Sequence, residues 1–229
     1  MTRIYATRLE AIGEGFSETV YPFLDGHVQK KICRLRKKED KMRTLLAHAI
    51  VKMVLSEQLQ REPQDIPFKM NEYGKQGLAG EERQFNITHS GEFILAAIGE
   101  QPVGIDVEKN ENRDFSLFRD IWGEGQHAHF ELNDCRSFYK VWTAKESYAK
   151  YLGTGLHSNM EEIILQRDNS IIDQGKETGI AVKYIHLHRD YTCAVCSKEE
   201  IESITFVERD KIENFFISRR QGKDASHFS

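Results

Sequence analysis

Positive charge in excess, long apolar runs and cysteine are what this 229-residue chain has least of. Its net charge is −4, so no global basic field draws in nucleic acid or an anionic membrane. Any anion site must be local. No run approaches the roughly 18 apolar residues of a membrane span. The start, MTRIYATRLEAIGEG, has no apolar signal region, which predicts a cytoplasmic protein with no membrane partner. Of the four cysteines, Cys193 and Cys196 form a CxxC. No second CxxC or nearby CxxH completes a zinc site, and YTCAVCS reads as a buried strand, so both are expected to be core residues. A Walker loop, GxGxxG, HExxH and GxSxG are all missing, which removes support for nucleotide-triphosphate, dinucleotide, zincin and serine-hydrolase chemistry.

What is present is ordinary globular material, 39% hydrophobic and 30% charged, which argues against disorder. IYATRL reads as a first strand and HVQKKICRLR as a short helix. KKEDKMRTLLAHAIVKMVLSEQLQ predicts an amphipathic helix whose stripe is Met42, Leu45, Leu46, Ala49, Ile50 and Met53, with Lys41, Arg43 and Lys52 off it. QFNITHS, GEFILAAIG and PVGIDVE predict three short strands in an antiparallel meander. FSLFRDIWGEGQHAHFELND reads as a helix and loop. CRSFYKVWTAKESYAKYLG reads as a long helix closed by Gly153. EEIILQR, GIAVKYIHLHR, YTCAVCS and ESITFVE read as strands, and ERDKIENFFISRR as a last helix. The expectation is an α+β fold of two similar halves, residues 1–103 and 104–220, with a disordered tail at 221–229.

Period two puts Asp106 and Glu108 on one face of their strand. Two such carboxylates can converge on a hard cation such as magnesium. The plain alternative is a solvated edge, and Asp-x-Glu alone favours it. On the long helix, the apolar stripe Phe138, Val141, Trp142, Ala149 and Leu152 is interrupted by Lys145, with Glu146 beside it. Glu146 and Lys150 share a face, which fits either a site or a surface ion pair. Lys30, Lys31, Arg43, Lys75 and His89 are candidate phosphate ligands, each of which could equally be a solvated or structural group. The pairs His127/His129 and His186/His188 have no third ligand at zinc spacing and are read as structural.

Taken together, FNITHSG at 85–91, GIDVE at 104–108 and FYKVWTAKESYAKYLGTGL at 138–156 resemble the Sfp-type (surfactin-synthetase-activating) 4′-phosphopantetheinyl transferases. NEYGKQG and KMRTLL fit as well, and the likeness runs from KKEDKMRTLL to YTCAVCS. The resemblance implies a monomer with the two halves in pseudo-two-fold arrangement and coenzyme A in the cleft between them. It implies transfer of phosphopantetheine to a serine of a carrier protein, with release of 3′,5′-ADP. Asp106, Glu108 and Glu146 would hold magnesium, with manganese as the alternative ion. Glu146 would help deprotonate the serine, and Lys150 would neutralise the leaving phosphate. Arg43, Thr88 and His89 would contact the 3′-phosphate side. Lys75 would line the adenine end, with Lys30 and Lys31 nearby. The length favours peptidyl or acyl carrier domains of non-ribosomal peptide or polyketide synthases. One departure concerns the family's F-[ST]-x-x-E segment, which here reads FRDIWGEGQHAHF and leaves Glu124 or Gly125 at the acid's place. Two other readings stand beside this one: a non-catalytic coenzyme A or carrier-binding module, and a metal-dependent phosphohydrolase.

Overall fold

A computed structural model describes residues 1–9, 15–80 and 83–226. In chain order the elements are β1 (Thr2–Arg8), α1 (Phe16–Val20), α2 (Gly26–Arg34), α3 (Lys38–Leu59), β2 (Phe68–Met70), β3 (Gln76–Leu78), β4 (Gln84–Ser90), β5 (Phe93–Gly99) and β6 (Val103–Lys109). Then come α4 (Arg119–Trp122), α5 (Cys135–Leu152), β7 (Ile163–Leu165), β8 (Ser170–Asp173), β9 (Lys176–Ala181), β10 (Lys183–Tyr184), β11 (Tyr191–Ser197), β12 (Ile201–Phe206) and α6 (Arg209–Ser226). The protein is a mixed α+β fold. Among the described residues no helix is long and apolar enough to cross a membrane.

Two sheets pack face to face. One has the order β12-β1-β5-β4 and the other β10-β11-β6. Ile4, Ala6, Phe93, Leu95 and Ala97 of the first meet Val103, Ile105, Val107, Cys193 and Val195 of the second. The outer face of the first sheet, through Ile94, Ala96 and Ile98, packs under α3. The outer face of the second, through Ala194 and Cys196, packs under α5. Cys193 and Cys196 therefore face opposite layers, as residues three apart on a strand must, and the CxxC is no shared site. Burial raises both thiols, Cys196 to about 12.

Three expectations are corrected. The three central strands do not form one meander: β4 and β5 pair antiparallel, whereas β6 joins β11 in the other sheet. Secondly, α3 is not amphipathic along its middle, since every residue from Thr44 to Ser56 is buried. A helix enclosed all round needs apolar surface all round. Its polar exceptions fall four apart and each is satisfied. Thr44 Oγ1 donates to Asp40 O, His48 Nδ1 bonds Thr44 O, Lys52 Nζ donates to Ile66 O, and Ser56 Oγ donates to Arg61 O. Lys52, expected off the stripe, also pairs with Asp25 at 2.8 Å and sits over the Phe68 ring. Thirdly, the C-terminal residues return to the first half. β12 pairs parallel with β1, and Ile212, Phe215 and Phe216 of α6 join the core beneath α3. Helix α6 also runs into the span expected as a tail, of which 227–229 lie outside the described residues.

Candidate functional site

The site forms where β4, β6, α2 and α5 converge. β6 gives its backbone to β11 on one side. On the other side its N–H groups are met by side chains. Asn86 Oδ1 accepts from Ile105 N at 2.9 Å, Thr88 Oγ1 from Val107 N at 3.2 Å, and Ser90 Oγ from Lys109 N at 3.1 Å. Alternate residues of FNITHS thus replace the carbonyls of a neighbouring strand, because buried N–H groups must find acceptors. The two sheets are stitched together at this edge, directly beside Asp106 and Glu108.

Gly104 brings α5 onto the same strand. A Cβ there would lie 1.9 Å from Ser147 O and 2.3 Å from Tyr151 N, so the helix backbone rests on the glycine. Helix α5 starts at Asp134, whose carboxylate accepts from Ser137 N, and stops at Gly153, whose φ is 83°. A left-handed residue there costs glycine little. Along this helix Lys145 and Glu146 part company. Lys145 is 1% exposed and donates to the carbonyls of Ile121, Trp122 and Met160 at 2.7–3.0 Å. Burial lowers its ammonium to about 7. It fastens the α4 segment to the helix, while Glu146 faces the cleft.

Asp106 is 4% exposed. Its Oδ1 receives Lys150 Nζ at 2.6 Å and Thr88 Oγ1 at 3.2 Å, and its Oδ2 is buried with no hydrogen-bond partner among the described residues. Glu108 accepts from Ser90 Oγ at 2.9 Å. Asp106, Glu108, Glu146 and Lys150 line one cavity of about 400 Å³ with Lys31, Thr44, His48, Ile87, Thr88, His89 and Trp142. Burial holds Asp106 above the usual carboxylate range against the opposing pull of Lys150. Burial first, then repulsion from Asp106, raises Glu108. Burial raises Glu146, reinforced by its two acidic neighbours. Burial would depress Lys150, but the three carboxylates outweigh it and its ammonium is held above the ordinary value. Burial, aided by Arg43 and the two lysines, lowers His89.

A crowd of carboxylates with one buried, unpartnered oxygen suits a hard divalent cation. Magnesium takes few protein oxygens and completes its shell with water and phosphate. Among the described residues no three acidic, histidine or cysteine groups stand together as a metal-holding set, so an ion here would take only part of its shell from the protein and the rest from water and phosphate.

A second cavity, of about 620 Å³, continues from the first through the shared residues Lys31, Ile87 and Lys150. Its basic wall is Lys30, Lys31, Arg34 and Lys75, with His27 and Tyr73. Lys75 Nζ donates to Val103 O and Tyr151 O, and burial lowers it to about 8. The Asn71–Lys75 turn reaches across to α5 through Asn71 Nδ2 and Gly153 O at 2.8 Å.

Of the residues expected from sequence, Asp106, Glu108, Glu146, Lys150, Thr88, His89, Lys30, Lys31 and Lys75 line these joined cavities. Arg43 lines neither and is held by Gly91 O and Asp40. Tyr73, the neighbour of Lys75 in EYGK, lines the second cavity too, whereas His27, Arg34, Gln76, His48 and Trp142 were missed. The helical spacing of 27, 30, 31 and 34 in HVQKKICRLR was the available signal for two of them. Glu124 borders a separate groove of about 880 Å³ that shares no lining residue with the cleft. The buried polar side chain of that segment is Gln126, which exchanges two hydrogen bonds with the Leu165 backbone.

Residues 102–196 match the model of the 4′-phosphopantetheinyl transferase superfamily. The chain is 30% identical to the 4′-phosphopantetheinyl transferase ffp of Bacillus subtilis, over 79% of this chain and 85% of that one. It is 28% identical to the transferase Sfp of Bacillus subtilis strain 168, over 86% and 92%. With the transferase gsp of Aneurinibacillus migulanus it shares 29%, over 78% and 79%. The chain belongs to the 4′-phosphopantetheinyl transferase family.

Proposed function

We propose that this protein transfers 4′-phosphopantetheine from coenzyme A to a serine of apo carrier domains, those of non-ribosomal peptide or polyketide synthases. The observation that carries the reading is the joining of a basic cavity to an acidic one, with Lys150 at the junction. Coenzyme A is a polyanion with a pyrophosphate at its middle. The basic wall of Lys30, Lys31, Arg34 and Lys75 suits its phosphorylated nucleoside end, and the acidic pocket suits the reacting end. We take the two helix-on-sheet layers, α3 on the β12-β1-β5-β4 sheet and α5 on the β10-β11-β6 sheet, to be the two sides of the cleft in a pseudo-two-fold arrangement. We take the protein to act as a monomer in the cytoplasm.

Asp106, Glu108 and Glu146 would hold magnesium or manganese, which when bound offsets charge on the pyrophosphate. In the reaction the serine oxygen forms a bond to the phosphorus that bears pantetheine, and the bond from that phosphorus to the 3′,5′-ADP oxygen breaks. Glu146 takes the serine proton. Such help is typically worth about 10²–10⁴ in rate. Lys150 stands beside the departing phosphate and neutralises it. Thr88 orients Lys150 and Asp106 at once.

Incubation of apo carrier domains with coenzyme A and magnesium should add phosphopantetheine, read by intact mass, and chelator should stop it. No mass gain on any of several carrier types, with either ion, would sink the reading. Asp106→Ala should lower transfer at least about 10²-fold with an unchanged circular dichroism spectrum. Release of 3′,5′-ADP without carrier would favour hydrolysis instead.

A further inference from the structure

Three residues at the cleft wall form a hydrogen-bond chain whose direction can be worked out. His48 Nδ1 lies 2.7 Å from Thr44 O. A carbonyl only accepts, so Nδ1 carries the proton. The two ends of the Gln76 carboxamide stand 2.9 Å from His48 Nε2 and 3.0 Å from His27 Nε2. Hydrogen bonding decides which end donates. With Oε1 toward His48, both ring nitrogens of His48 would need protons, and the ring would be a cation.

That cation is disfavoured. His48 is fully enclosed, among the described residues no carboxylate hydrogen-bonds it, and Lys31 and His27 oppose its charge. Burial lowers it to about 4. The cavity that His48 itself lines carries Asp106, Glu108 and Glu146 as well as Lys31 and Lys150, and the adjoining cavity adds Lys30, Arg34 and Lys75. The ring nitrogens meet Thr44 O and Gln76 rather than a carboxylate. A neutral His48 protonated on Nδ1 needs a donor at Nε2, so the amide turns over. Gln76 Nε2 donates to His48, and Gln76 Oε1 then accepts from His27 Nε2–H. Every step is complementary only in this direction. The free atom is His27 Nδ1, which has no hydrogen-bond partner among the described residues, on a side chain that lines the basic cavity.

We propose that the His48–Gln76–His27 chain fixes His27 as a hydrogen-bond acceptor in the cleft, where it reads an N–H donor of the bound nucleotide, the amino group of adenine. An acceptor amid cations distinguishes the base from the phosphates, which the lysines and Arg34 serve. Gln76 and His48 are positioning residues, since they act through His27. This inference rests on the reading of the cleft as a coenzyme A site.

The test couples side chain to ligand group. Dissociation constants for coenzyme A, its deamino (hypoxanthine) analogue and 3′-dephospho-coenzyme A are measured by calorimetry for the wild type, His27→Ala and Gln76→Leu. In His27→Ala, coenzyme A should bind about five- to tenfold more weakly, a single hydrogen bond. The deamino analogue, which presents a carbonyl oxygen in place of the amino group, should bind His27→Ala no more weakly than the wild type. Gln76→Leu should show a smaller loss of the same kind, again for coenzyme A and not for the deamino analogue. Nitrogen-15 shifts should show the Nδ1–H tautomer at His48 and Nε2–H at His27. An equal loss with both bases, coupling to the 3′-phosphate, or the opposite tautomers would overturn the proposal. Failure of the wild type to bind coenzyme A would instead overturn the reading of the cleft.

Discussion

At the residue scale, similar side chains do opposite work according to burial. Lys52 and Lys145 are enclosed and satisfied by carbonyls, as structural fasteners. Lys150 lies where three carboxylates meet and stays charged. Lys75 lies between, partly buried with two carbonyl acceptors and lowered to about 8. This last value has a measurable consequence. Above pH 8 the empty cleft holds Lys75 increasingly neutral, and an anionic ligand must then recruit a proton. The KM for coenzyme A should therefore rise as pH climbs through 8, by at most about tenfold per unit for one proton. Lys75→Arg keeps its charge and should flatten that rise. A profile identical in both proteins would remove Lys75 from phosphate binding. The composition of GIDVE and WTAKE named the acids, but it did not divide Lys145 from Glu146. One is a tether and the other a cleft residue, because one rotation step along α5 separates core from cavity.

At the element scale, the approach of α5 to β6 sets the site. Gly104 permits helix backbone against strand backbone, so Glu146 and Lys150 share a cavity with Asp106. Gly104→Ala would insert a methyl where Ser147 O and the Tyr151 N–H already sit. Overpacking of this kind costs about 1–3 kcal/mol and should appear as a lower denaturation midpoint. Transfer activity should fall more than tenfold, since Glu146 and Lys150 move with the helix. Unchanged stability together with unchanged activity would show that the contact does not matter. The alternation of FNITHS was legible as a strand. That Asn86, Thr88 and Ser90 spend their acceptors on β6 was not. The hydrogen-bonding partner of a side chain two strands away leaves no mark in local periodicity.

At the scale of the whole molecule, the chain closes on itself. β12 lies along β1, and α6 covers the core under α3. A chain ending at Glu208 would expose the apolar surface around α3 that Ile212, Phe215 and Phe216 cover. It should lose a cooperative thermal transition or accumulate as aggregate, checked by calorimetry and size-exclusion chromatography. A truncated protein that melts like the parent would show the helix to be dispensable.

The sequence by itself determined the principal strands β1, β4, β5, β6 and β11, the two long helices, the acids of the cleft and the family. Those depend on short-range period, on turn residues and on motifs whose spacing is local. Only the tertiary structure decided that β6 leaves β5 for the other sheet, that α3 is enclosed on every side, and that residues 201–226 rejoin the N-terminal half. It also decided which basic residues face the cleft and in which sense the His48–Gln76–His27 chain runs. Strand partners, burial on a helix's second face and the direction of a proton are properties of what lies opposite. What lies opposite is fixed only when distant segments meet.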